Sequence, residues 1–258
     1  MTKMVTFLNG KTNNNHCKKE TKNRNQNKMK FKIKDHIKNG DIVANIEETY
    51  PSFILDMKRN NVDDEDLFYT YLHQNNFSFI AYHCTRLTDL EISEIKSNGM
   101  ARGGKELLQN KIKRLPKSCD DIKDELLNHV NGLHETQADS SIYVSFGNLD
   151  LVADRARDKI FTQFWGGESI YNFYDNTDSF TSKRLQYIKN KLQTISTPCI
   201  ILLRCPKDSQ VALSYTYYYE KFMTQSIKEL FGSMCIKNCI PEVIEIIDLT
   251  RYSGLDFS

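Results

Sequence analysis

The sequence predicts an α+β fold, and three observations lead there. Short β-rich runs, "FIAYHCT", "SSIYVSFG", "PCIILLRC" and "PEVIEIIDL", are spread along the chain. Amphipathic helical stretches separate them at irregular spacing rather than as a strict βαβ repeat. The 258 residues, 40% apolar and 26% charged, suffice for one large domain with a real core.

Residues 1–28 are polar and lysine- and asparagine-rich, and are expected to form a basic, disordered arm. Residues 1–38 carry ten Lys and one Arg against Glu20 and Asp35, a net of +9, whereas the whole chain is only +2. Such an arm is able to hold phosphate backbones through counterion release, or is simply a solvated tail. Residues 29–258 are expected to form a single domain.

A helix is expected from about Val62 to His73, opened by acidic residues. A strand follows. Alternation puts Phe77, Phe79, Ala81, His83 and Thr85 on one face, and Ser78, Ile80, Tyr82 and Cys84 on the other. Both faces are mostly apolar, so the strand is central and covered on two sides. The next helix is signalled by the T-x-x-E capping box of Thr88 and Glu91, the apolar pair Ile92 and Ile95, and Gly99 as its C-terminal cap.

Residues 101–140 read as an inserted helical segment, with "KELLQNKIKRL" and "DDIKDELLNHV" joined through Pro116. "SSIYVSFG" is a short strand. "NLDLVADRARDKIFTQF" is a helix capped by Asn148 or Asp150, and "WGGESIYNFY" is a glycine turn into another strand. "FTSKRLQYIKNKLQTIS" is a helix and "PCIILLRC" a buried strand. "YYYEKFMTQSIKELFGS" is a helix capped by Gly232, and "PEVIEIIDL" is the last strand.

Seven cysteines, none in a C-x-x-C pair, argue for reduced thiols rather than a metal site. No run approaches 18 consecutive apolar residues, so no membrane span is expected, and with no secretory h-region a cytoplasmic protein is.

Three strands each offer a polar residue at a telling place: His83 with Thr85, Tyr143 with Ser145, and Glu242 after Pro241. The succession "YHCTRL…EI…I…NGM", "IYVS" and "PEVIEIID" resembles the H-Y-E signature of the diphtheria-toxin and poly(ADP-ribose) polymerase branch of ADP-ribosyltransferases. The likeness covers roughly residues 77–100, 140–174 and 198–250. It implies an ADP-ribosyltransferase-like split β-sandwich with surrounding helices, closed round NAD as co-substrate.

The resemblance implies roles residue by residue. Glu242 would stabilise the oxocarbenium-like ribose, as carboxylates do in glycoside hydrolysis. Tyr143 would stack on nicotinamide. His83 would hold the other ribose, Thr85 and Ser145 would line the same groove, and Arg86 would meet a phosphate. Phe164, Trp165 and Tyr171 are all candidates for a second stacking ring, and Glu168 for facing the acceptor. Ser141 stands where the family has glycine before "IY", and the 60 residues from His83 to Tyr143 are long for the family. Ile240, two before Glu242, argues against the arginine-modifying E-x-E branch. Glu245 is the rival carboxylate, deeper in its strand.

The resemblance further implies a toxin of a toxin–antitoxin or anti-phage system, with a cognate antitoxin as partner. The basic arm favours a nucleic-acid acceptor, RNA or DNA, over protein. Two other readings compete. A two-histidine phosphoesterase would use His83-Cys-Thr85 with His134-Glu-Thr136, but the second motif lies in a turn-like stretch. A non-enzymatic nucleic-acid-binding module would stack bases on Tyr215, Tyr217, Tyr218 and Tyr219.

Overall fold

The computed structural model describes residues 29–36, 38, 41–42, 59–60, 78–133, 142–147, 149–150, 152–153, 165–166, 170, 179–205, 231–236 and 239–256. The predicted arm and the helix expected at Val62–His73 lie outside them. Within them the protein is mixed α and β, as expected, with four α-helices and two sheets.

In chain order the strands are β1 (Met29–Lys32), β2 (Asp41–Ile42), β3 (Ser78–Leu87), β4 (Ile142–Gly147), β5 (Thr197–Cys205), β6 (Phe231–Ile236), β7 (Glu242–Asp248) and β8 (Tyr252–Asp256). The helices are α1 (Asp89–Asn98), α2 (Lys105–Lys113), α3 (Asp120–Gly132) and α4 (Ser179–Thr194). The main sheet runs β6-β4-β3-β5-β7, with β2 added parallel to the start of β3. β1 and β8 form a separate parallel pair.

β3 is central, as its two apolar faces require. Ile80 and Tyr82 on one face join Ile200, Leu202 and Ile247 in a core closed by Ile33, Leu149, Val152, Leu249 and Tyr252. On the other face Ala81, Leu87, Cys199, Ile201, Leu203 and Cys205 are equally buried. β5 is buried along nearly its whole length, which accounts for its unbroken hydrophobic run.

The inserted segment and α4 build a second core. Leu108 and Ile112 of α2, Ile122, Leu126 and Val130 of α3, and Leu185, Ile188 and Leu192 of α4 meet at helical spacing, with Trp165 and Ile170. Exposed polar bonds lace the outer side: Arg184 Nε to Glu125 Oε2 at 2.9 Å and Tyr187 Oη to Asp121 Oδ2 at 2.8 Å.

α1 starts on the expected capping box. Glu91 N donates to Thr88 Oγ1 at 3.3 Å, and Thr88 N donates to Glu91 Oε2 at 2.8 Å. Gly99 ends it at φ 79, a conformation that favours glycine. The buried residue of α1 is Glu91, however, while Ile92 and Ile95 are only half-buried.

Two expectations are corrected. Gly232 does not cap a helix: it lies within β6, paired with Phe146 of β4. Strand pairing with β4 overrides the helical pattern that runs into this segment from upstream. The strand expected after "WGGE" is not continued at Ile170, which is helical and packed in the second core.

Leu202→Ala would open a cavity where β3, β5 and the flanking elements meet, since Leu202 is fully buried. A loss of about 2–5 kcal/mol in unfolding free energy is expected from denaturant titration.

Candidate functional site

β3 pairs with β5 without a break, from Phe79↔Cys205 to Leu87↔Thr197. β4 pairs with β6 along all of its length. Between β3 and β4 the one register pair is Tyr82↔Ser145. The main sheet is therefore two ladders joined at one bridge, and β3 and β4 fork beyond it.

His83 stands at this fork. Its Nδ1 lies 2.7 Å from the main-chain oxygen of Tyr143. A carbonyl oxygen only accepts, so Nδ1 carries the proton and the neutral ring presents Nε2 as an acceptor. Burial depresses the imidazole pKa below its ordinary value; the Tyr143 carbonyl opposes this and the Lys111 charge adds to it. The ring is therefore neutral at neutral pH.

Tyr143 is 53% exposed. Alternation puts Tyr143 and Ser145 on the face of Tyr82, and His83 and Thr85 on the opposite one. Ser145 is half-buried and paired with Tyr82 and Ser233. Thr85 is half-buried on His83's face.

The other named residues are placed elsewhere. Arg86 clamps the end of α4: Nε donates to Ser196 Oγ at 3.0 Å, and Nη2 donates to the carbonyls of Gln193 at 3.1 Å and Ser196 at 2.5 Å. These carbonyls end a helix, where a cation is favoured. Trp165 is 1% exposed, and its indole N–H donates to Glu91 Oε2 at 2.8 Å. It is a core ring, not a free stacking surface. Phe164, Glu168, Tyr171, His134 and the tyrosines at 215–219 lie outside the described residues.

Glu242 is not brought to His83 and Tyr143. It opens β7, on the far side of β5 from β3, and pairs with Arg204. Arg204 Nη1 donates to Glu242 Oε2 at 2.6 Å, and Lys38 Nζ to Oε1 at 3.2 Å. The Arg204 hydrogen bond above all holds the Glu242 carboxyl below the usual carboxylate range. The same guanidinium donates to buried Asp41 through Nε at 2.9 Å and Nη2 at 3.0 Å, and to the His36 carbonyl at 3.0 Å. Glu245, the rival acid, accepts from the Ile246 amide at 2.8 Å and pairs with Leu202, also two strands from β3.

The Arg204 tie escaped the sequence reading. Its signal was present: one guanidinium inside "IILLRC" demands a buried partner. Which acid answers it is set by tertiary structure, since Asp41 lies 163 residues away. Among the described residues no group of His, Cys, Asp and Glu is arranged to hold a metal ion. No helix there is long and apolar enough to cross a membrane.

No family model matches the chain, and neither a curated protein nor a solved structure does.

Two outcomes follow from the charges. Arg204→Met leaves Asp41 buried and unpaired, and a loss of about 3–5 kcal/mol in unfolding free energy is expected. The His83 resonance should titrate with a midpoint below the ordinary 6.5 in NMR. A base whose pKa falls on folding binds protons more readily when unfolded. Its contribution to stability is therefore complete above pH 6.5 and declines as pH falls through the window below it. His83→Gln should flatten that stretch of the stability profile.

Proposed function

We propose that the protein is an NAD-dependent ADP-ribosyltransferase that takes NAD into the fork between β3 and β4. The observation that supports this best is the His83 imidazole, spanning the fork in a neutral tautomer with its acceptor nitrogen available for a ribose hydroxyl. The exposed Tyr143 ring, on the facing strand, suits nicotinamide stacking.

In the proposed reaction the bond between nicotinamide nitrogen and ribose C1′ breaks. The electron pair leaves with nicotinamide, and C1′ passes through an oxocarbenium-like state. The acceptor's nucleophilic atom then bonds to C1′ and loses its proton. His83 and Tyr143 orient the dinucleotide, so that binding is converted into reaction geometry.

Glu242, two strands from β3, is held by Arg204 of β5 and is assigned no place near C1′. Arg86 is assigned no phosphate, because its donors close the end of α4.

The acceptor is proposed to be nucleic acid, RNA or DNA, drawn by the +9 charge of residues 1–38. The biological setting implied by the resemblance is a cytoplasmic toxin of a toxin–antitoxin or anti-phage system, restrained by a cognate antitoxin. A protein acceptor is the competing outcome.

Incubation with NAD labelled in its ADP-ribose half, and separate pools of RNA, DNA and protein, tests this. Label is expected in a nucleic-acid pool; label in no pool, with NAD intact, ends the proposal. Tyr143→Ala should weaken NAD binding about tenfold and Tyr143→Phe by less than about twofold, because stacking survives in phenylalanine. Transfer should be retained within about threefold in Glu242→Gln, with a stability loss of only about 0.5–1 kcal/mol for a half-exposed ion pair.

A further inference from the structure

Glu91 is the buried carboxylate that the reading above leaves without a task. It is 7% exposed. Its Oε2 accepts from the Thr88 amide at 2.8 Å, the Thr88 hydroxyl at 2.9 Å and the Trp165 indole at 2.8 Å. Its Oε1 lies 2.8 Å from the Lys111 ammonium. Burial alone would raise this carboxyl, but Lys111, Thr88 and Trp165 together hold it below the usual carboxylate range.

The partners come from different parts of the molecule. Thr88 directly follows β3, five residues after His83. Lys111 lies on α2, and Trp165 belongs to the helical core. Among the described residues the two cores share none. Glu91 thus ties the strand that carries His83 to the helical layer. Arg114, which caps the end of α2, adds an exposed bond to Glu94 of α1, Nη1 to Oε2 at 3.0 Å.

A capping box alone needs only a solvent-facing Glu. An apolar side chain at a buried position is often as stabilising as an ion, so energy alone does not account for a buried acid here. What a shared carboxylate supplies is direction: four donors from three residues fix where α2 and Trp165 sit relative to the end of β3. Thr88 directly follows the strand of His83, so the tie fixes the helical layer against the end of that strand.

We propose that Glu91 is a positioning residue for the fork: by holding Lys111 and Trp165 against the end of β3, it sets the access of a dinucleotide to His83. The functional half of this rests on the transferase reading. The structural half does not.

Trp165, the only tryptophan of the chain, makes the tie directly observable. The test uses the full chain and the variants Glu91→Gln, Lys111→Met and Trp165→Phe, with tryptophan emission, NAD KM and kcat as readouts. In Glu91→Gln, Trp165 emission is expected to shift to the red, with KM for NAD raised about tenfold and kcat within about twofold. Lys111→Met, which takes the cation from Glu91 Oε1, should give a change of the same sign; Trp165→Phe, which keeps the ion pair, leaves KM to be read if neither of the other variants folds. Trp165→Phe should raise KM as Glu91→Gln does.

Unchanged emission and unchanged KM in Glu91→Gln or Lys111→Met would overturn the proposal. So would a fall in kcat alone, which would mark a chemical rather than a positioning role. If wild-type protein shows no NAD chemistry, the emission shift alone decides whether the tie exists, and the transferase reading falls separately.

Discussion

The rest of the molecule depends on the pairing of β3. Ser78–Leu87 is apolar on both faces, so it must be hydrogen-bonded along its edges and covered above and below. β5 satisfies one edge completely. On the other edge β4 meets β3 in register at Tyr82↔Ser145 and then takes β6 as its own partner. In-register pairing of β3 with β4 is confined to that point, and the fork lies beside it. His83 then finds a main-chain carbonyl of β4 where a regular ladder would have used it.

Three buried or half-buried charges hold this arrangement, and each joins elements distant in sequence. Arg204 fastens the N-terminal stretch through His36 and Asp41 to β5 and β7. Arg86 fastens the start of the β5 hairpin region by closing the last turn of α4. Glu91 fastens α1 to α2 and Trp165. Apolar contacts supply most of the driving force but little direction. Charged groups with bidentate or shared hydrogen bonds have few acceptable geometries, so they fix how one layer sits on another.

For function, the consequence is a division of labour within the residues first singled out. The His83 ring meets the main-chain oxygen of Tyr143, whose own ring lies on the opposite face with Ser145, while Thr85 stays on the face of His83. Arg86, Trp165 and Glu242 are drawn into the ties that build its surroundings. The inserted helices, which lengthen the chain between His83 and Tyr143, build the second core, and α2 carries the Lys111 that pairs with Glu91.

Much of the local structure was legible in the sequence. Thr88 and Glu91 announce the start of α1, Gly99 its end, and the spacings of Ile122, Leu126 and Val130 the buried stripe of α3. These signals are short-range, because capping and periodicity involve residues within a turn or two of one another. β6 was hidden because "QSIKELFGS" looks helical until β4 claims its end. Glu242 looked available because a strand mouth after proline is usually open. By itself the sequence determined the α+β class, the central strand and which side chains are chemically fit for a site. Only the tertiary structure decided which of them meet, because strand order and the partners of buried charges depend on residues far apart in sequence, such as Asp41 and Arg204, 163 positions apart, and no local pattern encodes that choice.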